Sequence, residues 1–215
     1  RSGQADAVVC GGVDTPVTRM VLNAHCSARM LTETDDPQQA LMPFDRRRTK
    51  PALGEGAAIF IVEERESAIA RRARIYAEIG CFAQHSENIN EIFMLDRSGE
   101  RWARTLASAV RSHSRVSHIN AHAPSDRVID RTEVVAIKKA FPDSWKRILV
   151  TSIKGNVGSG MTSASAQQIA SAAMSVHTGD VPPICNYSEP DPDCDLNLAA
   201  KPVRGGNITT ALVNS

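Results

Sequence analysis

Ile119-Asn120-Ala121-His122-Ala123-Pro124-Ser125-Asp126-Arg127-Val128-Ile129-Asp130-Arg131-Thr132-Glu133 is the stretch that decides the fold class. An apolar run delivers a histidine, a polar loop follows, and two carboxylates stand where a helical pattern begins. A strand passing to a helix through such a loop is the building unit of an α/β protein, whose chemistry gathers at strand ends. His122 is a neutral imidazole able to act as donor or base, and Asp130 and Glu133 are carboxylates placed to orient it. A lone histidine at a strand end also serves packing, so the rest of the chain has to decide between the two.

Working outward, residues 116–120 read as the strand that carries His122, and 132–141 as the helix behind it. Residues 148–152 read as a strand, 155–160 as a glycine-rich turn, and 165–177 as a long helix of Ala and Ser, small side chains that permit close packing. Upstream, residues 101–112 set Trp102, Leu106, Ala109 and Val110 on one helical face, 87–99 read as a polar surface excursion, and 75–83 as a strand. Residues 7–10 read as a buried strand closed by a tight turn at Gly11-Gly12, 17–31 as a helix, 57–62 as a strand buried on both faces, and 63–72 as a charged helix. Strand and helix alternate throughout, without internal repeat or low-complexity linker.

A net charge of +1 from 25 basic and 24 acidic residues gives no field to hold nucleic acid. The basic groups at Arg46, Arg47, Arg48 and Lys50 and at Arg71, Arg72 and Arg74 read as solvated faces. Cys10, Cys26, Cys81, Cys185 and Cys194 are odd in number and irregularly spaced, which suits neither a disulfide framework nor a zinc site and fits a reducing, cytoplasmic setting. No apolar run approaches the roughly 18 residues of a membrane span. The first residues look like a helix end running into a buried strand, a place where a domain rarely begins.

Two further segments stand out. Thr151-Ser152-Ile153-Lys154 ends a strand on a lysine, and Gly155-Asn156-Val157-Gly158-Ser159-Gly160 then opens a helix whose N–H donors can receive a carbonyl or carboxylate oxygen. The turn lacks the residue order of a phosphate-binding loop. Pro182-Pro183 and Pro190-Asp191-Pro192 stiffen a surface connection.

Taken in order, Gly11-Gly12, Pro43-Phe44-Asp45, Gly54-Glu55-Gly56-Ala57, Asn120-Ala121-His122, Asp130 with Glu133, Lys154, Pro182-Pro183, Pro190-Asp191-Pro192 with Cys194-Asp195-Leu196, and Ala211-Leu212 with Asn214-Ser215 resemble the C-terminal half of a β-ketoacyl-acyl-carrier-protein synthase, the ketosynthase branch of the thiolase-like superfamily. The resemblance implies a layered α-β-α-β-α fold and decarboxylative Claisen condensation of acyl and malonyl thioesters. It implies no cofactor of the chain's own, the substrates being carried on the phosphopantetheine of an acyl carrier protein. His122 matches the first of two family histidines that polarise the malonyl carbonyl, Asp130 and Glu133 match the carboxylates of its loop, and Lys154 matches the lysine paired with that glutamate.

The departures matter as much. The second histidine is represented by Ser159, an uncharged and weaker donor. The family's Gly-Thr-Ser-Thr, whose threonines hold the pantetheine arm, is Ala123-Pro124-Ser125-Asp126, and Arg-Asp-Gly-Phe is Arg48-Thr49-Lys50-Pro51. The five cysteines lie outside the sequence context of the family nucleophile, which is expected in a half preceding Arg1, and the gating loop is expected beyond Ser215. Residues 1–64 then read as the end of the N-terminal half with its connecting loop, and 65–215 as the C-terminal half without that final loop.

Such a half exposes a sheet edge and an apolar face and needs a partner, either an N-terminal ketosynthase half or an intact ketosynthase subunit. Two readings follow: a ketosynthase-like subunit whose complex supplies the cysteine, or a non-catalytic partner of chain-length-factor type that shapes another subunit's pocket. A thiolase or other acyltransferase fits the Asn-Ala-His and Gly-Glu-Gly segments less well. Neither nucleic acid nor a membrane is an expected partner.

Overall fold

A computed structural model describes residues 5–86, 95–110 and 115–215. In chain order the elements are β1 (Ala7–Asp14), α1 (Arg19–Ser27), β2 (Gly56–Glu63), α2 (Arg65–Ala70), α3 (Glu100–Ser108), β3 (His118–Asn120), α4 (Arg127–Ala140), β4 (Leu149–Thr151), the single turn α5 (Lys154–Val157), α6 (Ala164–Thr178) and β5 (Ala211–Val213). β1 and β2 form an antiparallel ribbon running from the Ala7–Glu63 pair to the Asp14–Gly56 pair. The second sheet is parallel, in the order β4-β3-β5. α6 packs against β1 and β2 on one side and β3 and β5 on the other, so it forms a helical layer shared by the two sheets.

That shared position explains the composition of α6. Its buried residues are Ala164, Ala166, Gln168, Ala172 and Ser175, mostly small side chains that let both sheets approach. Gly12 serves the same end. A Cβ there would stand 2.9 Å from the Thr162 carbonyl oxygen and 3.2 Å from the Ala166 Cβ. The pair Gly11-Gly12 therefore does not close β1 in a tight turn; β1 runs straight through it to Asp14, and the glycine buys closeness to α6.

The main core gathers Ile119, Ala121, Ala123, Val134, Ile137, Ile148, Val150 and Leu212 beneath Leu106 of α3. α4 begins at Arg127, five residues before the expected start, because Asp126 caps it by accepting from the Val128 and Ile129 N–H groups. The expected strand at 57–62 exists, but in β2 only alternate residues turn inward, and Ile59 and Ile61 remain exposed. Residues 75–83 join neither sheet. β5 was not anticipated; three residues are too few for a periodic signal, and only pairing with β3 defines it as a strand.

Arg48 overturns the reading of the 46–50 group as a solvated face. It is buried, ion-paired to Asp191 and, through Nε at 3.3 Å, to Asp130, and it donates to the Asp45 carbonyl at 2.8 Å. The segment around Phe44 folds under α4, and enclosed acidic partners make that burial possible. Residues 87–94 of the expected 87–99 excursion, the end of the 101–112 helix and the first four residues lie outside the described residues. Among the described residues, no helix is long and apolar enough to cross a membrane.

Candidate active site

β3 ends at Asn120, and the chain stays in sheet register for one more residue, Ala121 N–H donating to the Thr151 carbonyl at 2.7 Å. His122 follows at the rim. Glu133, fully buried one and a half turns into α4, reaches back to the loop: Oε1 accepts from His122 N–H at 2.8 Å and Oε2 from Ala123 N–H at 2.7 Å. Asn214, just past β5, donates its side-chain amide to the same Oε1 and accepts from the Trp102 indole N–H at 2.8 Å. The Trp102 ring meets the His122 ring edge to face, centroids 6.2 Å apart.

Lys154 approaches from the opposite side. It is 2 % exposed, and its Nζ donates to the His122 carbonyl at 2.6 Å and to Gln168 Oε1 at 3.1 Å. His122 is thus held by its backbone, amide to Glu133 and carbonyl to Lys154. No ion pair joins Lys154 to Glu133 directly. Burial takes Lys154 down to about 8, while the charges of Glu133 and Asp130 hold it up. Burial lifts Glu133 above its ordinary range, and the N–H groups of Ala123 and His122, the Asn214 amide and the Lys154 charge pull it back.

The imidazole is touched by no carboxylate. Burial, reinforced by the Lys154 charge, pushes His122 down to about 3, so the ring is neutral at any ordinary pH. Its Nδ1 is enclosed without a partner, which leaves Nε2 as the nitrogen open to a ligand. A neutral ring with one open nitrogen can donate a hydrogen bond to an oxygen that gains charge, without competing as a general acid.

The other two candidates stand apart from this cluster. Asp130 is fully buried but turns toward the Phe44 loop, accepting from Phe44 N–H at 2.9 Å and facing Arg48. Burial raises its carboxyl to about 7, against the pull of the Phe44 N–H and Arg48. Ser159 is pinned by its backbone, donating to the Ala52 carbonyl at 2.9 Å and accepting from Gly54 N–H at 3.0 Å. The crossing is tight: a Cβ on Gly54 would lie 2.6 Å from the Gly158 Cα, so the Gly-Glu-Gly segment fixes where Ser159 sits. No hydrogen bond joins Ser159 to His122.

The loop after His122 has no side chain to spare for a pantetheine arm. Ala123 and Pro124 carry no polar side-chain atom, Ser125 is enclosed with Oγ accepting from Met42 N–H at 2.9 Å, and Asp126 is occupied in capping α4. The residues present do not fit the threonine-held arm of the resemblance. Cys194 is buried, and its thiol is pushed up to about 12, chiefly by that burial, so it is inert. Cys10, Cys26, Cys81 and Cys185 lie on β1, on α1, in the 73–86 segment and in the 182–188 loop.

Three residues of the cluster escaped the sequence reading. The sequence pattern places Asn214 in a motif without a role and sets Trp102 on one helical face, and Gln168 stands in no motif. Gln168 does leave a signal, being the one long polar residue on the face Ala164–Gln168–Ala172–Ser175, which helical spacing marks as inward.

Comparison with known proteins accords with this geometry. The family profile described as Beta-ketoacyl synthase, C-terminal domain, matches residues 76–188, and Beta-ketoacyl synthase, N-terminal domain, matches 1–68. The chain is 34 % identical to the tetracenomycin polyketide synthase ketoacyl synthase alpha subunit of Streptomyces glaucescens, over 99 % of this chain and 51 % of that protein. It is 33 % identical to 3-oxoacyl-(acyl-carrier-protein) synthase 2 of Staphylococcus aureus, over 99 % of this chain and 52 % of that one. Among solved structures, a type II PKS acyl-carrier protein in complex with its ketosynthase bound to the hexaketide superposes with a TM-score of 0.91 at 30 % identity, over 98 % of this chain and 53 % of that one. The ishigamide ketosynthase/chain length factor gives 0.79 at 28 %, over 96 % and 50 %. The chain spans about half the length of these relatives. With its layered α/β fold and a buried lysine and glutamate closing on one histidine loop, it belongs to the beta-ketoacyl synthase family.

Proposed function

We propose that this chain is a ketosynthase-like subunit of a polyketide or fatty-acid assembly, acting on carrier-protein-bound acyl and malonyl thioesters inside a complex that supplies the nucleophilic cysteine. The observation that carries the reading is the neutral His122 ring, its Nδ1 enclosed and its backbone gripped by Glu133 and Lys154. In this scheme His122 Nε2–H donates to the malonyl thioester carbonyl. The bond to the carboxylate breaks, CO₂ leaves, and the electron pair becomes an enolate whose oxygen the imidazole stabilises. The enolate carbon attacks the acyl thioester on the partner's cysteine, a C–C bond forms, and the thiolate departs. Burial first, and then the positive charge that Lys154 places behind the His122 carbonyl, keep the ring neutral, and that charge makes the local potential favourable to an anion.

We take the boundary between the two family halves at residue 64, and the setting as a reducing cytoplasm. The completing partner is an N-terminal half or an intact ketosynthase, met by an acyl carrier protein. A second reading, a non-catalytic partner of chain-length-factor type, is supported by the resemblance, which puts Ser159 at the second histidine's place, and by Ser125 and Asp126, whose side chains accept from the chain's own backbone.

The two readings separate in one experiment, product formation by the reconstituted complex from malonyl-loaded carrier protein, with and without His122→Ala. Loss of one transition-state donor lowers turnover by about 10²–10³-fold. Undiminished turnover in an intact complex rejects the catalytic reading in favour of the scaffolding one.

A further inference from the structure

Gln168 lies fully buried in the middle of α6, and both ends of its amide are in use. Its Oε1 accepts from Lys154 Nζ at 3.1 Å. Its Nε2 donates to the carbonyls of Ala121 at 2.8 Å and Asn214 at 2.9 Å, with the backbone carbonyl and side-chain Oδ1 of Asn120 at 3.2 and 3.4 Å. Turning the amide over would set its NH₂ against an ammonium and its oxygen against four other oxygens, so the orientation is forced.

We infer that Gln168 is a positioning residue of the candidate site: it holds Lys154 as an ammonium against the His122 carbonyl and locks the strand ends that carry His122 and Asn214. The physical need is plain. A buried ammonium is stable only where acceptors replace water, and Lys154 finds two, the His122 carbonyl and Gln168 Oε1. The charged groups that act on it through space are Glu133 and Asp130, both from α4; the loop contributes the neutral His122, and α6 contributes the uncharged Gln168. Burial already lowers Lys154, and loss of one acceptor lowers it further. The same amide closes the gap between β3 and β5 beyond their last paired residues, where Asn214 N–H meets the Asn120 carbonyl at 3.0 Å. The consequence for catalysis rests on the ketosynthase reading; the consequence for Lys154 does not.

The test is an NMR titration of Lys154 in the intact protein with its partner, using lysine labelled at Cε and Nζ and the Lys154 signal assigned by its loss in Lys154→Arg. Gln168→Met keeps the length and removes both hydrogen-bonding ends; Gln168→Glu keeps an acceptor for Lys154 and adds charge. The Lys154 midpoint should fall by about one pH unit in the first and rise in the second. A midpoint unmoved in both, in variants that keep their circular dichroism and melting behaviour, reduces Gln168 to packing and overturns the inference. If neither variant folds, the unsubstituted protein decides: the Gln168 NH₂ protons should be protected from exchange and the Lys154 ammonium should couple across its hydrogen bond to Gln168 Cδ, and absence of both rejects it. An inactive or a fully active His122→Ala complex leaves these readouts untouched, so the two proposals fail separately.

Discussion

In the parallel sheet Ile119 and Val150 are 0 % exposed, whereas in the β1–β2 ribbon Val9, Val13, Ile59 and Ile61 are 73, 65, 62 and 69 % exposed. Both sheets are built from Val and Ile, and both meet α6. The difference is the second cover. The core around β3 is also lined from α3 and α4, so β3 is buried at every residue. The ribbon has α6 on one face only, and β1 pairs with β2 alone. A strand apolar on both faces implies two neighbouring layers, and among the described residues the ribbon has one. Among the described residues, then, the site-bearing region is enclosed by its own helices, while the ribbon keeps one apolar face in water.

The largest expected effect breaks the sealed side. Glu133→Ala removes the acceptor for the His122 and Ala123 N–H groups and for the Asn214 amide, all buried. It should lower unfolding stability by about 3–5 kcal/mol, read from denaturant melts; a loss under about 1 kcal/mol would mean that the loop holds itself without α4.

A middle-sized effect tests the rim of that region through pH. Burial raises Asp130 from 3.8 to about 7, so between those values the folded chain binds a proton that the unfolded chain has released. Its contribution to stability therefore declines as pH rises from about 4 through 7. Asp130→Asn should flatten that decline while costing about 1 kcal/mol for the weakened bond from Phe44 N–H. An identical pH dependence in the two proteins would show that Arg48 keeps Asp130 ionised throughout.

The smallest expected effect on the chain itself comes from the ribbon. Ile61→Ser should move the unfolding midpoint of the isolated chain by no more than about 0.5 kcal/mol, because the side chain is already in water. In co-purification with the completing partner, the same change should weaken association about tenfold or more, since a buried Ile side chain is worth about 1.5–3 kcal/mol. Unaltered association would remove the ribbon face from the interface.

Much of this site could be read from the order of residues, and the reasons are local. Asn120-Ala121-His122 closes the short segment 116–120 that reads as a strand, and Asp130 and Glu133 fall on the helix behind it. Lys154 follows the neighbouring strand β4 and opens α5. What local pattern could not carry is direction. Asp130 and Glu133 are three residues apart on one helix, yet one faces Phe44 and Arg48 and the other faces the His122 loop. The start of α4 is misplaced by its apolar rhythm, which begins later than the first turn that Asp126 caps.

The sequence by itself determined the α/β class, since that depends on residue type and spacing along the chain; the role expected of the histidine loop, and of Ser159 at the second histidine's place, came from the resemblance alone. The tertiary structure alone decided that Glu133 and Lys154 hold the backbone of His122 instead of its ring, that Gln168 joins Lys154 to two strand ends, and that Arg48 is buried. Those outcomes depend on which groups must replace water once segments some 10 to 140 residues apart in the chain close on one another. A buried donor or acceptor takes the partner that packing brings within reach, and no spacing in the sequence specifies that partner.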